Sequence, residues 1–177
     1  MPRGPIGPCG KLPPMPPTDL SPGHRLGDVT LDTLLQARGG LSTWRGFRTD
    51  GSTVVVKLLD ELDRGVVRAM QRAFRRTHGL RLQGVPGPDA LHIDGEPVYV
   101  LRPWAQGVPL LDAIRECPPG ARVERALHLG ALLCERLAAM HREGLVHGNL
   151  GTGNVWVTPE DDVLITDLGS SLRRALP

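Results

Sequence analysis

From Val29 to Arg38 the pattern of apolar and polar residues is strand-like and runs into Gly39-Gly40. Strand-like runs also occupy residues 44–48 and 53–59, on either side of Thr49-Asp50-Gly51-Ser52. Asp-Gly between two such runs is a hairpin signal. The period then lengthens: Val66, Val67, Met70, Ala73 and Phe74 recur at helical spacing and predict a helix over 61–77. Gly79, Gly84, Pro86, Gly87 and Pro88 break the chain, and a second hairpin is expected from residues 90–93 and 97–101 about Asp94-Gly95.

After Pro103-Trp104-Ala105-Gln106-Gly107 the pattern changes from strands to helices. Residues 109–116 predict a short helix with proline in its first turn, stopped by Pro118-Pro119-Gly120. Residues 122–143 predict a long one, with Val123, Ala126, Leu127, Ala131, Cys134, Leu137, Ala138 and His141 as its apolar stripe and Gly144 as its C-cap. Two short strands, 155–158 and 163–166, flank the acidic turn Pro159-Glu160-Asp161-Asp162. The element order makes the fold class α+β: a strand-rich lobe at 28–103 with one helix, a mainly helical lobe at 104–177, a hinge near 102–107 and a cleft between them. Residues 1–27 hold eight of the seventeen prolines and no periodic apolar pattern, so they read as a disordered or polyproline-like leader.

Composition narrows the class. A net charge of +2 gives no basic surface that implies a nucleic-acid or membrane partner. The three cysteines are odd in number and lack metal-ligand spacing, which suits a reducing cytoplasm. Nineteen of the 21 basic residues are arginine, leaving Lys11 in the leader and Lys57 in an apolar strand. Against that bias Lys57 looks retained for its chemistry.

Three segments would frame the cleft: Val54-Val55-Val56-Lys57, then His147-Gly148-Asn149-Leu150 with Asn154 five residues after Asn149, then Thr166-Asp167-Leu168-Gly169. Phosphoryl transfer needs a cation on the nucleotide phosphates, a base near the acceptor hydroxyl and oxygen ligands for magnesium. Residues 28–171 resemble the N-terminal lobe and catalytic loop of a protein kinase. Lys57 matches the lysine of the third strand, Asn154 the catalytic-loop asparagine, and Asp167 the first residue of the Asp-Phe-Gly motif, here Asp-Leu-Gly. Thr43-Trp44-Arg45-Gly46, Thr49-Asp50-Gly51 and Leu80-Arg81-Leu82-Gln83-Gly84-Val85 are similar to one branch, the bacterial kinase domains that precede an AAA-type ATPase and sensor modules in long signalling proteins. The catalytic loop also resembles that of aminoglycoside phosphotransferases. The resemblance implies a five-stranded antiparallel first lobe. It also implies ATP and Mg²⁺ as cofactors, with Asn154 and Asp167 as metal ligands and Gly39, Gly40, Lys57, Trp44, Val55 and Trp156 about the nucleotide.

Departures from the family are equally specific. Asn149 stands where the catalytic aspartate belongs, and a neutral amide cannot accept a proton as a carboxylate does. No Asp or Glu occurs from Arg64 to Pro88, so the helix offers no glutamate to pair with Lys57, and Ala73 takes that position. The Gly-rich loop keeps two glycines where the family spreads three. Trp156, and Trp44 at the roof valine or one residue beside it, would compete with a purine for volume. Eight residues follow Gly169, so the helical lobe is expected to be partial and the 122–143 helix to expose an apolar face that predicts a partner, self-association or poor stability. The resulting expectation is an impaired kinase-like domain, with weak ATP/Mg²⁺ binding and a regulatory or scaffolding role in a longer signalling protein. An active Ser/Thr kinase and an interaction module or gene fragment that binds no nucleotide remain the alternatives.

Overall fold

The computed structural model describes residues 20–38, 41–59, 64–94 and 97–168. Its first lobe is an antiparallel sheet of β1 (Arg25–Leu26), β2 (Val29–Arg38), β3 (Leu41–Arg48), β4 (Thr53–Leu59), β7 (Ala90–His92) and β8 (Val98–Pro103), ordered β1-β2-β3-β4-β8-β7. Five of these strands are the expected ones. The sixth, β1, falls inside the segment assigned to the leader: Leu26 pairs with Val29 and is buried, so order reaches further toward the N-terminus than the proline content suggested.

Alternation decides which side chains meet. In β4, Val54, Val56 and Leu58 point to one face and join Leu26, Val29, Leu31, Trp44, Tyr99 and Leu101 in a closed apolar core. Val55 and Lys57 point to the other face. The register carries that face across the sheet: Lys57 lies opposite Thr43 and Val100, and Val55 opposite Arg45 and Arg102. Behind it, the helix α1 (Arg64–Thr77) packs Met70 and Phe74 against Leu59, Val98 and Val100. Residues 61–63, where that helix was expected to begin, lie outside the described ones.

Between α1 and β7 the glycines and prolines do not simply break the chain. They build a tight hairpin, β5 (Arg81–Leu82) with β6 (Val85–Pro86), turned by Gln83-Gly84. Gly84 sits at φ +69° and its carbonyl accepts from the Ile165 N–H at 2.7 Å, so the hairpin tip docks on the second lobe.

The second lobe comprises β9 (Val108–Pro109), α2 (Leu110–Arg115), α3 (Arg122–Arg142), β10 (Val155–Val157) and β11 (Val163–Ile165). The strands form a small sheet ordered β11-β10-β9. The face that α3 buries is not the expected stripe. Leu129 and Met140 are fully enclosed, and Leu132, Leu133 and Leu137 pack beside them against β10, β11 and the β5–β6 hairpin. Of the predicted stripe only Leu137 takes part, and Val123 and Leu127 are each 70% exposed. The helix carries two apolar stripes, and the leucine-rich one won because it buries more area per residue, about 1.5–3 kcal/mol for each fully enclosed leucine.

Gly84→Ala tests the hairpin's role as a brace. A Cβ there would run into the Val163 carbonyl oxygen and come to 2.7 Å from the Arg136 side chain, at a φ that disfavours any L residue. The substitution should cost about 1–3 kcal/mol, read as a fall in the urea midpoint with no change in slope.

Candidate functional site

Between the lobes lies a cleft of about 350 Å³, whose lining includes Val55, Lys57, Arg102, Trp104, Trp156 and Asp167. Strand parity puts the first three on one wall: Val55 and Lys57 alternate on β4, and Arg102 faces Val55 from β8. Asp167 comes from the opposite lobe, two residues past β11. It adopts φ +71°, unusual for a residue with a side chain.

At the centre the Asp167 carboxylate is shared. Its Oδ2 accepts from Lys57 Nζ and its Oδ1 from Arg102 Nη1, so each oxygen carries a cationic hydrogen bond. Arg102 is 7% exposed, and its Nε has no hydrogen-bond partner among the described residues. Burial pushes the pKa values of Lys57 and Arg102 down, and the nearby Asp167 charge opposes that shift in both. For Asp167 burial acts upward, but Arg102 and Lys57 outweigh it and hold the carboxyl below its ordinary range. Two cations on one carboxylate leave this cluster with a net positive charge.

The loop from 147 to 154 is positioned by hydrogen bonds rather than by burial of its tip. His147 is 4% exposed and bonds Thr166 O through Nε2 at 2.8 Å. A carbonyl only accepts, so Nε2 carries the proton and Nδ1 accepts from the Asn149 N–H at 3.3 Å. Asn154 Nδ2 donates to Asn149 O at 2.7 Å, and the Thr166 N–H donates to Asn154 O at 2.9 Å. His147 and Asn154 therefore tie this loop to the strand that delivers Asp167.

Of the residues expected at the site, Lys57, Val55, Trp156, Asn154 and Asp167 line the cleft. Asn149 is exposed on the adjoining loop and is not part of the lining. Gly39 and Gly40 lie outside the described residues. Trp44 is a correction: it points into the apolar core beneath the sheet, 2% exposed, while its neighbour Thr43 faces the cleft. Parity is the reason, since a one-residue shift along a strand reverses the face. The second indole at the cleft is Trp104, and the space between the lobes stays open rather than filled.

Residues 39–175 match the family of protein tyrosine and serine/threonine kinases. The chain belongs to this family. Its kinase fold is seen again in a solved structure described as PpkA-294 in its apo form, with a TM-score of 0.68 at 15% identity. The match covers 86% of this chain and 62% of that one, so the kinase domain here spans less than two thirds of its neighbour. No curated protein is significantly similar to it.

Kinases use ATP and magnesium, and the two fit this cleft differently. A volume of about 350 Å³ with indole and valine walls and two cations suits a purine with an anionic tail. The magnesium positions, Asp167 and Asn154, are present. However, Asp167 already bridges two cations, and a divalent ion seated on it would lie within a few ångströms of the Arg102 guanidinium. Unit charges about 4 Å apart repel by about 4 kcal/mol at an effective dielectric near 20, and a double charge doubles that. This donor set does not fit a divalent cation. Among the described residues no cluster of three or more His, Cys, Asp or Glu offers another metal site.

The shared carboxylate makes a pH-dependent prediction. A carboxyl held below its unfolded value stabilises the fold above that value, and the contribution fades as pH falls through the depressed folded one. Asp167→Asn should lose about 3 kcal/mol at pH 7, the lower end for a broken buried pair because its side chain is 21% exposed. Denaturant unfolding from pH 7 to pH 3 should show the gap to the parent protein beginning to narrow as pH passes below the ordinary carboxyl value of 3.8. A gap constant over that range would mean the charge of Asp167 is not what stabilises.

Proposed function

We propose that this kinase domain binds a nucleotide in the interlobe cleft but is catalytically impaired, a pseudokinase with a regulatory or scaffolding role in signalling. The observation that carries the reading is Asn149. It occupies the position of the general base, and its backbone N–H and carbonyl are spent on His147 and Asn154. An amide there forfeits proton abstraction, typically worth about 10²–10⁴ in rate. Lys57 adds to this, because α1 presents no carboxylate and the lysine turns to Asp167 instead.

In this reading the base rests among Val55, Trp104 and Trp156, with the phosphates toward Lys57 and Arg102. A nucleotide supplies negative charge that competes with Asp167 for Lys57, so occupancy would alter the contact that joins the lobes. That is a population shift without turnover. The exposed side of α3, with Val123 and Leu127, is the surface offered to a protein partner, to another copy or to the rest of a longer chain. A reducing cytoplasm suits the free thiols Cys117 and Cys134, and no helix among the described residues is long and apolar enough to cross a membrane.

Titration with ATP should quench the fluorescence of Trp104 and Trp156 saturably, while transfer of a labelled γ-phosphate to protein hydroxyls stays at background. Transfer that persists in the parent and disappears in Lys57→Ala would establish an active Ser/Thr kinase instead. Fluorescence indifferent to ATP would reject the nucleotide and leave an interaction module.

A further inference from the structure

Arg102 is a charged cleft residue that the sequence motifs did not single out. It is more than nine-tenths buried, fixed on a central strand by its pairing with Val55, and its guanidinium reaches across the lobe boundary to Asp167. Among the described residues no other acidic side chain lines the cleft. An arginine cannot shed its charge to admit a metal, and its strand leaves it little room to withdraw. Lys57 is different in kind. As a compact ammonium on a flexible stem it can turn from Asp167 to a phosphate.

We infer that Arg102 determines ligand specificity by taking the place of the divalent cation's charge at Asp167, so that the cleft binds a nucleoside di- or triphosphate free of metal. The inference rests on the nucleotide-binding reading above and goes beyond it by naming the species bound. Three observations converge on it. Both Asp167 oxygens are occupied by cations, the cluster is net positive, and Arg102 Nε is a buried donor without an acceptor. A metal-free polyphosphate answers each of them: it carries more negative charge than its magnesium complex and supplies acceptor oxygens. The magnesium complex brings a second positive charge toward a guanidinium that cannot leave.

The test compares the parent with Arg102→Met and Arg102→Lys, following tryptophan fluorescence during titration with ADP in EDTA and in Mg²⁺. The parent should bind ADP more weakly in excess Mg²⁺ than in EDTA, because magnesium withdraws the free nucleotide that the cleft accepts, and Arg102→Lys, which keeps the charge, should behave alike. Arg102→Met should bind at least tenfold more tightly with Mg²⁺ than without. A parent affinity equal or higher in Mg²⁺ than in EDTA overturns the inference while leaving nucleotide binding intact, and this arm decides the matter even if Arg102→Met does not fold. If ADP moves neither protein under any condition, the nucleotide reading has failed and so has the metal-free species built on it. Titration with Mn²⁺ alone, followed by water-proton relaxation, then judges the exclusion of metal separately. Mn²⁺ bound by Arg102→Met and not by the parent supports the exclusion, whereas Mn²⁺ bound by the parent, or by neither protein, overturns it.

Discussion

One carboxylate holds the two lobes in register. Asp167 stands on the second lobe, and both of its oxygens are bound by cations from the first. Such a contact is costly to assemble, because three charges leave water together, and it persists because each charge is met by an opposite one. Its geometry depends on strand pairing far more than on local sequence. Lys57 and Arg102 come from neighbouring strands, two register steps apart, and only antiparallel pairing of β4 with β8 sets them side by side. The hydrogen bonds that His147 donates to the Thr166 carbonyl and that the Thr166 N–H donates to the Asn154 carbonyl do the equivalent work below, fixing the backbone that delivers Asp167. The β5–β6 hairpin, docked through Gly84 on β11, is the mechanical counterpart of this electrostatic tie.

How far this was legible in the sequence follows from where single-strand periodicity ends and pairing begins. β3 and most of β4 bury every second side chain, which is the local pattern that marks strands, and the Asp50-Gly51 turn between them marks the hairpin. Lys57, Asn154 and Asp167 were readable as a set because their spacing resembles a known catalytic pattern. Trp44 was misplaced by a single residue, and along a strand that error moves a side chain through the sheet. Arg102 was hidden for a related reason. It precedes Pro103-Trp104, which reads as the start of a hinge, yet it lies two residues past Val100 and so shares the face of Lys57. Extending the strand by one alternation would have found it.

The α3 helix shows a different limit. Its sequence carries two apolar stripes, and periodicity ranks neither above the other. What chooses between them is the shape of the partner surface, a sheet and a hairpin assembled from residues up to some 60 positions away in the chain. Leu129, Leu133 and Met140 fill that surface, while the stripe through Val123 and Leu127 is left facing outward. A helix that stays apolar on its outer side keeps part of its folding free energy available for association.

Taken singly, each departure from the kinase pattern is ambiguous. Asn149 alone is compatible with a slow enzyme, a missing α1 carboxylate with a lysine that meets phosphate directly, and an arginine at position 102 with a cleft that has charge to spare. Their common direction is what gives them weight. Two of the three remove a negative charge from around the cleft, and the third adds a positive one. A kinase cleft balances carboxylates against metal ions and lets the phosphates complete the set. Among the described residues that line the cleft here, Asp167 is the one carboxylate, and the cations that answer it are side chains. Charge balance in such a cleft is closed by an incoming anion rather than by a metal, and that electrostatic inversion links the altered catalytic loop, the lysine without a helical partner and the buried arginine.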